Sequence, residues 1–215
     1  MNIFFLQFLL GILFLSIFYL HLAKKNFGAV IAYSIQSLII TLILLTSFLE
    51  TNSFFLLFVV LVTLVIKVIL APIFFLRLIQ RHKLTFSVST YLNLPLTLIV
   101  LAGFTAIAHS QKFLSLTNII PVHHALLSLA LSAFFVSLFL IINRKDALSQ
   151  AIGILSLENS IVAFAIFAGL EQSPMLQFGI IFDIFIWLVI ATVFISMIYR
   201  HFGSLDTSSM KHLKD

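Results

Sequence analysis

Three ionisable residues lie inside long apolar stretches of the sequence, where a charge is costly. They are Lys67 in TLVIKVIL, Glu158 in AIGILSLENSIVAFA and Asp183 in GIIFDIFIW. A charge at the centre of a bilayer costs about 2.5–3.5 kcal/mol on insertion scales, so such residues usually face protein and pair with one another. Because burial generally favours the neutral form of a carboxyl group, a carboxyl in a membrane can take up and release a proton near neutral pH. The residue types therefore favour a proton relay. The alternative is a structural ion pair between Lys67 and Glu158 that fixes helix packing.

The expected depth of these residues follows from the helical rise of about 1.5 Å per residue. Glu158 is expected roughly 12 Å from one membrane face, Lys67 roughly 15 Å from the same face, and Asp183 roughly 10 Å from the opposite face. We therefore predict that the three share a central layer about 10 Å deep. A short turn joins the stretches that contain Glu158 and Asp183, which predicts antiparallel neighbouring helices.

Other polar residues give weaker signals. His123 and His124 are adjacent in sequence, so they point to different faces of a helix and cannot form an i,i+4 metal pair. We expect both to be hydrated at the membrane interface. Asn93 stands beside Pro95 in an apolar stretch, and we expect it to bridge helices rather than to bind a substrate. These three residues are secondary polar candidates.

Residues for catalysis or for a cofactor are absent from the sequence. It contains no cysteine, which excludes a thiolate iron–sulfur cluster and cysteine ligands to nickel or zinc. Dinucleotide-binding, phosphate-binding, zinc-protease and serine-hydrolase motifs are also missing. We therefore predict no catalytic residue, no metal site and no cofactor in this chain.

The elements that hold the ionisable residues are predicted to be membrane helices. Of the 215 residues, 62% are hydrophobic and 9% are charged, against about 25% charged in a soluble domain. A bilayer core of about 30 Å needs about 20 apolar residues per helix. Seven stretches are long enough: 2–22, 29–49, 54–79, 87–108, 121–142, 150–170 and 176–199. We predict an all-α integral membrane bundle of seven transmembrane helices, with a kink or tilt at Pro72 in the third.

The distribution of basic residues predicts the orientation of this bundle. With the N-terminus outside, only Lys112 falls in an outer loop, while the cytoplasmic segments and C-terminal tail contain Lys24, Lys25, Arg77, Arg81, Lys83, Arg144, Lys145, Arg200, Lys211 and Lys214. An excess of lysine and arginine marks the cytoplasmic side. These loops also account for the formal net charge of +5, so we predict no nucleic-acid binding.

Several stretches resemble a known family. LSQAIGILSLENSIVAFA, MLQFGIIFDIFIWLVIATVFISMIYRHFGSLDT and TLVIKVILAPIFFLRLI are similar to the E component of hydrogenase-4, the membrane subunit of formate-hydrogenlyase-like complexes. Residues 121–199 also resemble the K subunit of NADH–quinone oxidoreductase and the C subunit of multisubunit cation/proton antiporters. The resemblance implies that Glu158 matches one of two proton-pathway glutamates. Asp183 stands where the second would be, with a side chain one carbon shorter.

The resemblance also implies an organisation and a setting. It divides the chain into an N-terminal four-helix membrane region (1–120), a three-helix region like the K subunit (121–199) and a cytoplasmic tail (200–215). The implied partners are antiporter-like large subunits, a quinone-like connecting subunit, and nickel–iron hydrogenase and iron–sulfur subunits on the cytoplasmic side. These partners would carry the metals, and the assembly would lie in the bacterial inner membrane.

Four functions remain open from the sequence. The first is an accessory subunit of a hydrogenase-4-like oxidoreductase complex, which helps to translocate protons. The second is a subunit of an antiporter-like, ion-driven transport complex that lacks a hydrogenase. The third is an independent transporter, although seven helices do not divide into two equal repeats. The fourth is a structural scaffold.

Overall fold

The computed structural model describes residues 3–81, 89–110, 112 and 124–168, together with single positions between 178 and 200. The elements are α1 (Ile3–Leu22), α2 (Asn26–Thr51), α3 (Phe54–Thr63), a π-helical segment (Leu64–Leu70), α4 (Ala71–Arg81), α5 (Leu94–Ala108), α6 (His124–Asn143) and α7 (Ala147–Phe167). One antiparallel β-bridge pairs Thr90 with Arg144. The all-helical class predicted from the sequence is confirmed.

Five helices in the described ranges are long and apolar enough to cross a membrane. They are Ile3–Leu22, Asn26–Thr51, Phe54–Gln80, Ala125–Asn143 and Ala147–Phe167. Helix α5 is apolar but shorter, and it falls within the fourth predicted stretch. The seventh stretch, 176–199, lies largely outside the described residues. A membrane bundle therefore agrees with the helices seen, while the number seven and the orientation stay predictions.

The third predicted stretch is a continuous helix with a π-helical segment at its centre. The backbone N–H of Ala71 donates to the carbonyl oxygen of Ile66, five residues earlier, which is the π-helical pattern. The next N–H in that pattern would belong to Pro72, which has none. The wider turn therefore ends there, and α4 continues the helix. We predicted a kink or tilt at Pro72, and the structure shows a π-helical segment that ends two residues before this proline.

The bundle contains two apolar clusters with a polar layer between them. The first cluster includes Leu10, Ile40, Val59, Ala133 and Ala163, and the second includes Leu20, Ala29, Phe75, Leu140 and Leu148. Along α2, the π-helical segment and α7, buried polar side chains lie between the residues of the two clusters, and α6 adds Ser137 near the end of the first cluster. This polar layer consists of Gln36, Ser37, Lys67, Ser137, Ser156, Asn159 and Ser160, with the partly buried Glu158 beside them.

The connection between α6 and α7 pairs with the segment that precedes α5. The backbone N–H of Tyr91 donates to the carbonyl oxygen of Asn143 at 2.9 Å, and the N–H of Lys145 donates to that of Ser89 at 3.1 Å. The side chain of Asn143 also accepts the N–H of Leu92 at 2.9 Å. These bonds fix the start of α5 against the α6–α7 connection.

Candidate functional site

Lys67 and Glu158 form an ion pair inside the bundle. The Nζ atom of Lys67 lies 3.0 Å from Oε1 of Glu158. The Lys67 side chain is 2% exposed and the Glu158 side chain is 20% exposed. The ammonium group is thus enclosed by protein. The Glu158 side chain is the more accessible of the two, although its Oε1 atom is itself buried.

Asn159 provides a second acceptor for the same ammonium group. The Nζ atom of Lys67 donates to Oδ1 of Asn159 at 2.9 Å, and Nδ2 of Asn159 donates to Oγ of Ser37 at 3.2 Å. Asn159 and Ser37 are both fully buried. This chain of hydrogen bonds joins the π-helical segment, α7 and α2 at one level of the bundle.

Local helix geometry brings these groups together. Successive residues of an α-helix are about 100° apart around its axis, so Glu158 and Asn159 can approach one ammonium group from neighbouring directions. Lys67 is the buried residue of the π-helical segment Leu64–Leu70. The π-helical segment therefore points its one charged side chain into the bundle rather than toward lipid.

Further hydroxyl groups occupy the polar layer around this pair. Oγ of Ser137 on α6 lies 2.9 Å from Oγ of Ser160 on α7, and the Ser160 hydroxyl donates to the carbonyl oxygen of Ser156 at 3.0 Å. Tyr33 on α2 is fully buried and interacts electrostatically with Glu158. The site is therefore polar within an apolar bundle.

The structure brings together two of the three predicted relay residues, Lys67 and Glu158. Asp183 lies outside the described residues, so its place in the central layer stays a prediction. His123 also lies outside them. His124 begins α6, and its side chain is outside the described part of the chain.

Asn93 has a different place from the one predicted. It is the N-cap of α5, and its Oδ1 accepts the backbone N–H of Leu96 at 3.1 Å. Pro95 lies in the first turn. Asparagine at the N-cap and proline in the first turn are typical of helix starts. Asn93 is exposed and satisfies a helix end, so the expected bridge between helices is corrected to a capping role.

Sequence reasoning missed Asn159, Ser37 and the π-helical segment. Asn159 gave a signal, since it is an amide directly after Glu158 in an apolar helix, where amides commonly make contacts between helices. Ser37 lies four residues after Tyr33, which places both on one side of α2. No pattern in the sequence other than Pro72 marks the π-helical segment.

The arrangement joins two ionisable groups, the Lys67 ammonium and the Glu158 carboxyl. Among the described residues, no group of three or more histidine, cysteine, aspartate or glutamate side chains is placed to hold a metal ion. The chemistry that the described residues offer at the pair is that of a carboxyl group, which can bind a proton, beside an ammonium group.

A match to a known family covers the part of the chain that contains Glu158. Residues 125–215 match the family of NADH-ubiquinone/plastoquinone oxidoreductase chain 4L. The chain is also similar to an uncharacterized protein of Mycobacterium tuberculosis, with 26% identity over 125 residues, which are 57% of this chain and 56% of that protein. The chain thus spans about half the length of the curated relative. No solved structure matches it. The C-terminal region of this chain therefore resembles the K-type (4L) membrane subunit of NADH–quinone oxidoreductases.

Proposed function

We propose that the chain is a membrane subunit of a complex-I-like oxidoreductase assembly, and that Glu158 carries protons along part of a path through the membrane. The match of residues 125–215 to chain 4L supports the class of assembly. The observation that carries the proton role is the ion pair of Lys67 with Glu158, whose side chain remains 20% exposed.

The exposure of the two partners assigns them different roles in this proposal. Glu158 can exchange a proton, because its side chain is the more accessible of the two. Lys67 is enclosed, so it acts as a stationary positive charge that favours the ionised carboxylate. A proton that arrives neutralises Glu158, and its departure restores the ion pair. Asp183 is the second proposed stepping-stone.

The substitution Glu158→Gln tests the proton role in the intact complex. We expect the complex to assemble and its electron transfer to continue, while proton transfer into proteoliposomes falls several-fold because Gln cannot ionise. The matched control is Glu50→Gln, which alters an exposed carboxyl at the end of α2. Normal proton transfer by the Glu158 variant would show that the relay role is wrong.

The role of Asp183 is tested by two substitutions in the same assay. If Asp183 passes protons, Asp183→Asn lowers proton transfer, and Asp183→Glu preserves it because a carboxyl is retained. Equal losses in both variants would indicate that the residue serves packing.

The finer proposal names component E of hydrogenase-4, and it rests on the resemblance of the GILSLEN and FGSLDT segments. Purification of the chain in mild detergent tests it. We expect antiporter-like subunits, a quinone-like connecting subunit and a nickel–iron subunit to co-purify. Recovery of antiporter-like subunits with no hydrogenase would instead assign the chain to an ion-driven transport complex.

A further inference from the structure

The enclosed position of Lys67 creates a difficulty for any proton uptake at Glu158. While Glu158 is ionised, the ammonium group has a carboxylate at 3.0 Å. Once Glu158 binds a proton, that negative charge disappears, and a buried cation without compensation is strongly unfavourable. A second hydrogen-bond acceptor for the ammonium group would reduce the energetic cost of protonating Glu158.

Asn159 has the chemistry and the orientation for this task. An ammonium group offers only donors, so it must meet the oxygen of an amide rather than its nitrogen. Oδ1 of Asn159 lies 2.9 Å from Nζ of Lys67. The amide nitrogen is turned to the Ser37 hydroxyl, 3.2 Å away, which holds the oxygen toward Lys67.

We propose that Asn159 is a positioning residue that keeps the Lys67 ammonium group in place while Glu158 changes its charge. When a carboxylate oxygen of Glu158 binds a proton, the charge of that side chain changes from −1 to 0. The hydrogen bond from the Lys67 ammonium group to Asn159 is then retained. This inference rests on the proposed function, since it matters only if Glu158 exchanges protons.

Two titratable side chains of the described helices interact with Glu158 and could contribute to a pH effect. They are Lys67 of the π-helical segment and Tyr33 of α2. Helix α6 has no such side chain between Ala125 and Asn143, and Glu158 is the one titratable residue of α7. Asp183 lies outside the described part of the chain.

The N-terminal region also contributes side chains to the site. Glu158 and Asn159 lie in the region that matches chain 4L, residues 125–215. Lys67 and Ser37 lie outside that region and reach the site from the π-helical segment and α2. The N-terminal helices therefore complete the surroundings of the carboxyl group.

Isotope-edited infrared spectroscopy of the full chain in lipid nanodiscs measures the protonation of Glu158 directly. The glutamates are labelled with carbon-13, and Glu158→Gln identifies the Glu158 band among those of Glu50 and Glu171. We expect Asn159→Leu to move the pH at which the protonated band appears downward by about one unit, because the protonated state loses the second acceptor for Lys67.

A substitution that adds a negative charge at position 159 should shift the pH midpoint of the Glu158 band in the other direction. Asn159→Asp places a second carboxylate near Lys67 and Glu158, so the protonated Glu158 band should appear at a higher pH than in the wild type. The upward shift checks that position 159 lies close enough to Glu158 to affect its charge. The downward shift of Asn159→Leu separates positioning from packing, because an apolar side chain would otherwise favour the protonated form of Glu158. An unchanged midpoint, or shifts in one direction for both variants, would overturn the proposal.

A milder variant keeps the test decisive if Asn159→Leu fails to fold. Ser37→Ala removes the acceptor that orients Asn159, so we expect a smaller shift toward lower pH, and no shift would count against the proposal. Its control is Ser34→Ala, because the half-buried Ser34 hydroxyl donates to Val30 on the same helix. These infrared shifts do not depend on proton transfer by the complex. A failure of the proposed function would appear in the proteoliposome assay, whereas a failure of the Asn159 proposal would appear in the infrared midpoints.

Discussion

The guanidinium group of Arg144 donates a hydrogen bond to the carbonyl oxygen of Leu20, at the C-terminal end of α1. It also donates to the carbonyl oxygen of Ala23 at 3.3 Å. Arg144 lies between α6 and α7, yet it is 2% exposed. The last carbonyl groups of a helix have no partner within the helix, and a cation there also meets the negative end of the helix dipole. One side chain thus fastens α1 to the α6–α7 connection.

Replacement of Arg144 by methionine should destabilise the protein by about 3–5 kcal/mol. The substitution leaves the carbonyl groups of Leu20 and Ala23 without their donor and removes the positive charge near the buried Asp146. Thermal unfolding of the full chain in detergent measures the loss. Lys24→Met is the matched control, since Lys24 is exposed close to the same end of α1. Equal melting temperatures for the two variants would contradict the capping role of Arg144.

Asp146 should make stability depend on pH. Its Oδ1 caps α7 by accepting the N–H of Ser149 at 2.8 Å. Burial raises the pKa of Asp146 above its ordinary value of 3.8, against the lowering effects of the Ser149 hydrogen bonds and the Arg144 charge. Burial also lowers the pKa of Arg144 to about 10, so Arg144 stays charged at neutral pH.

The sign of this pH effect follows from proton binding. In the unfolded chain Asp146 has the ordinary pKa of 3.8, and in the folded protein its pKa is higher. The folded protein therefore keeps this proton to a higher pH than the unfolded chain does. The stability that this proton contributes is therefore lost as the pH rises through the folded pKa. Asn caps helices about as well as Asp, so Asp146→Asn retains the cap without the titration. We expect the melting temperature of the variant, relative to the wild type, to rise between about pH 4 and pH 7. A constant difference across this range would refute the assignment.

The ion pair of Lys67 and Glu158 should show strong coupling in a double-mutant cycle. Lys67→Met should cost about 3–5 kcal/mol, because it leaves a carboxylate in the bundle without its cation. Adding Glu158→Gln to that variant should cost less than it does in the wild type, since the charge to be compensated is then gone. Thermal unfolding measures both steps, with the exposed Lys25→Met as a control. Additive losses would show that the two side chains are not coupled.

Gly153 should be required for the close approach of α6 and α7. A Cβ atom at this position would lie 3.0 Å from Cγ1 of Ile141 and 3.5 Å from its backbone nitrogen. We expect Gly153→Ala to destabilise the protein by about 1–3 kcal/mol through overpacking. Gly103 of α5 has open space around it, so Gly103→Ala should stabilise by about 0.5–1 kcal/mol. Thermal unfolding of both variants tests the contrast, and a loss of equal size in each would argue against the packing explanation.

Part of the site could be predicted from the sequence, because an ionisable residue in an apolar helix carries a clear energetic signal. Lys67 and Glu158 stood out for that reason. Asn159 and Ser37 are uncharged, and their roles depend on which helices are neighbours. For Asn93 the sequence was misleading, because we placed this residue inside the predicted apolar stretch 87–108. In the structure the helix begins one residue later, at Leu94.

The sequence by itself determined that the chain forms long apolar helices, since composition and length suffice for that conclusion. It also determined which side chains carry a charge whose exposure to lipid would cost too much free energy. The tertiary structure decided which of them meet. A π-helical segment turns Lys67 inward, and α7 offers it both a carboxylate and an amide oxygen. The physical reason is that the energetic cost of burying a charge is local to the chain, whereas the groups that compensate for it lie on helices distant in sequence.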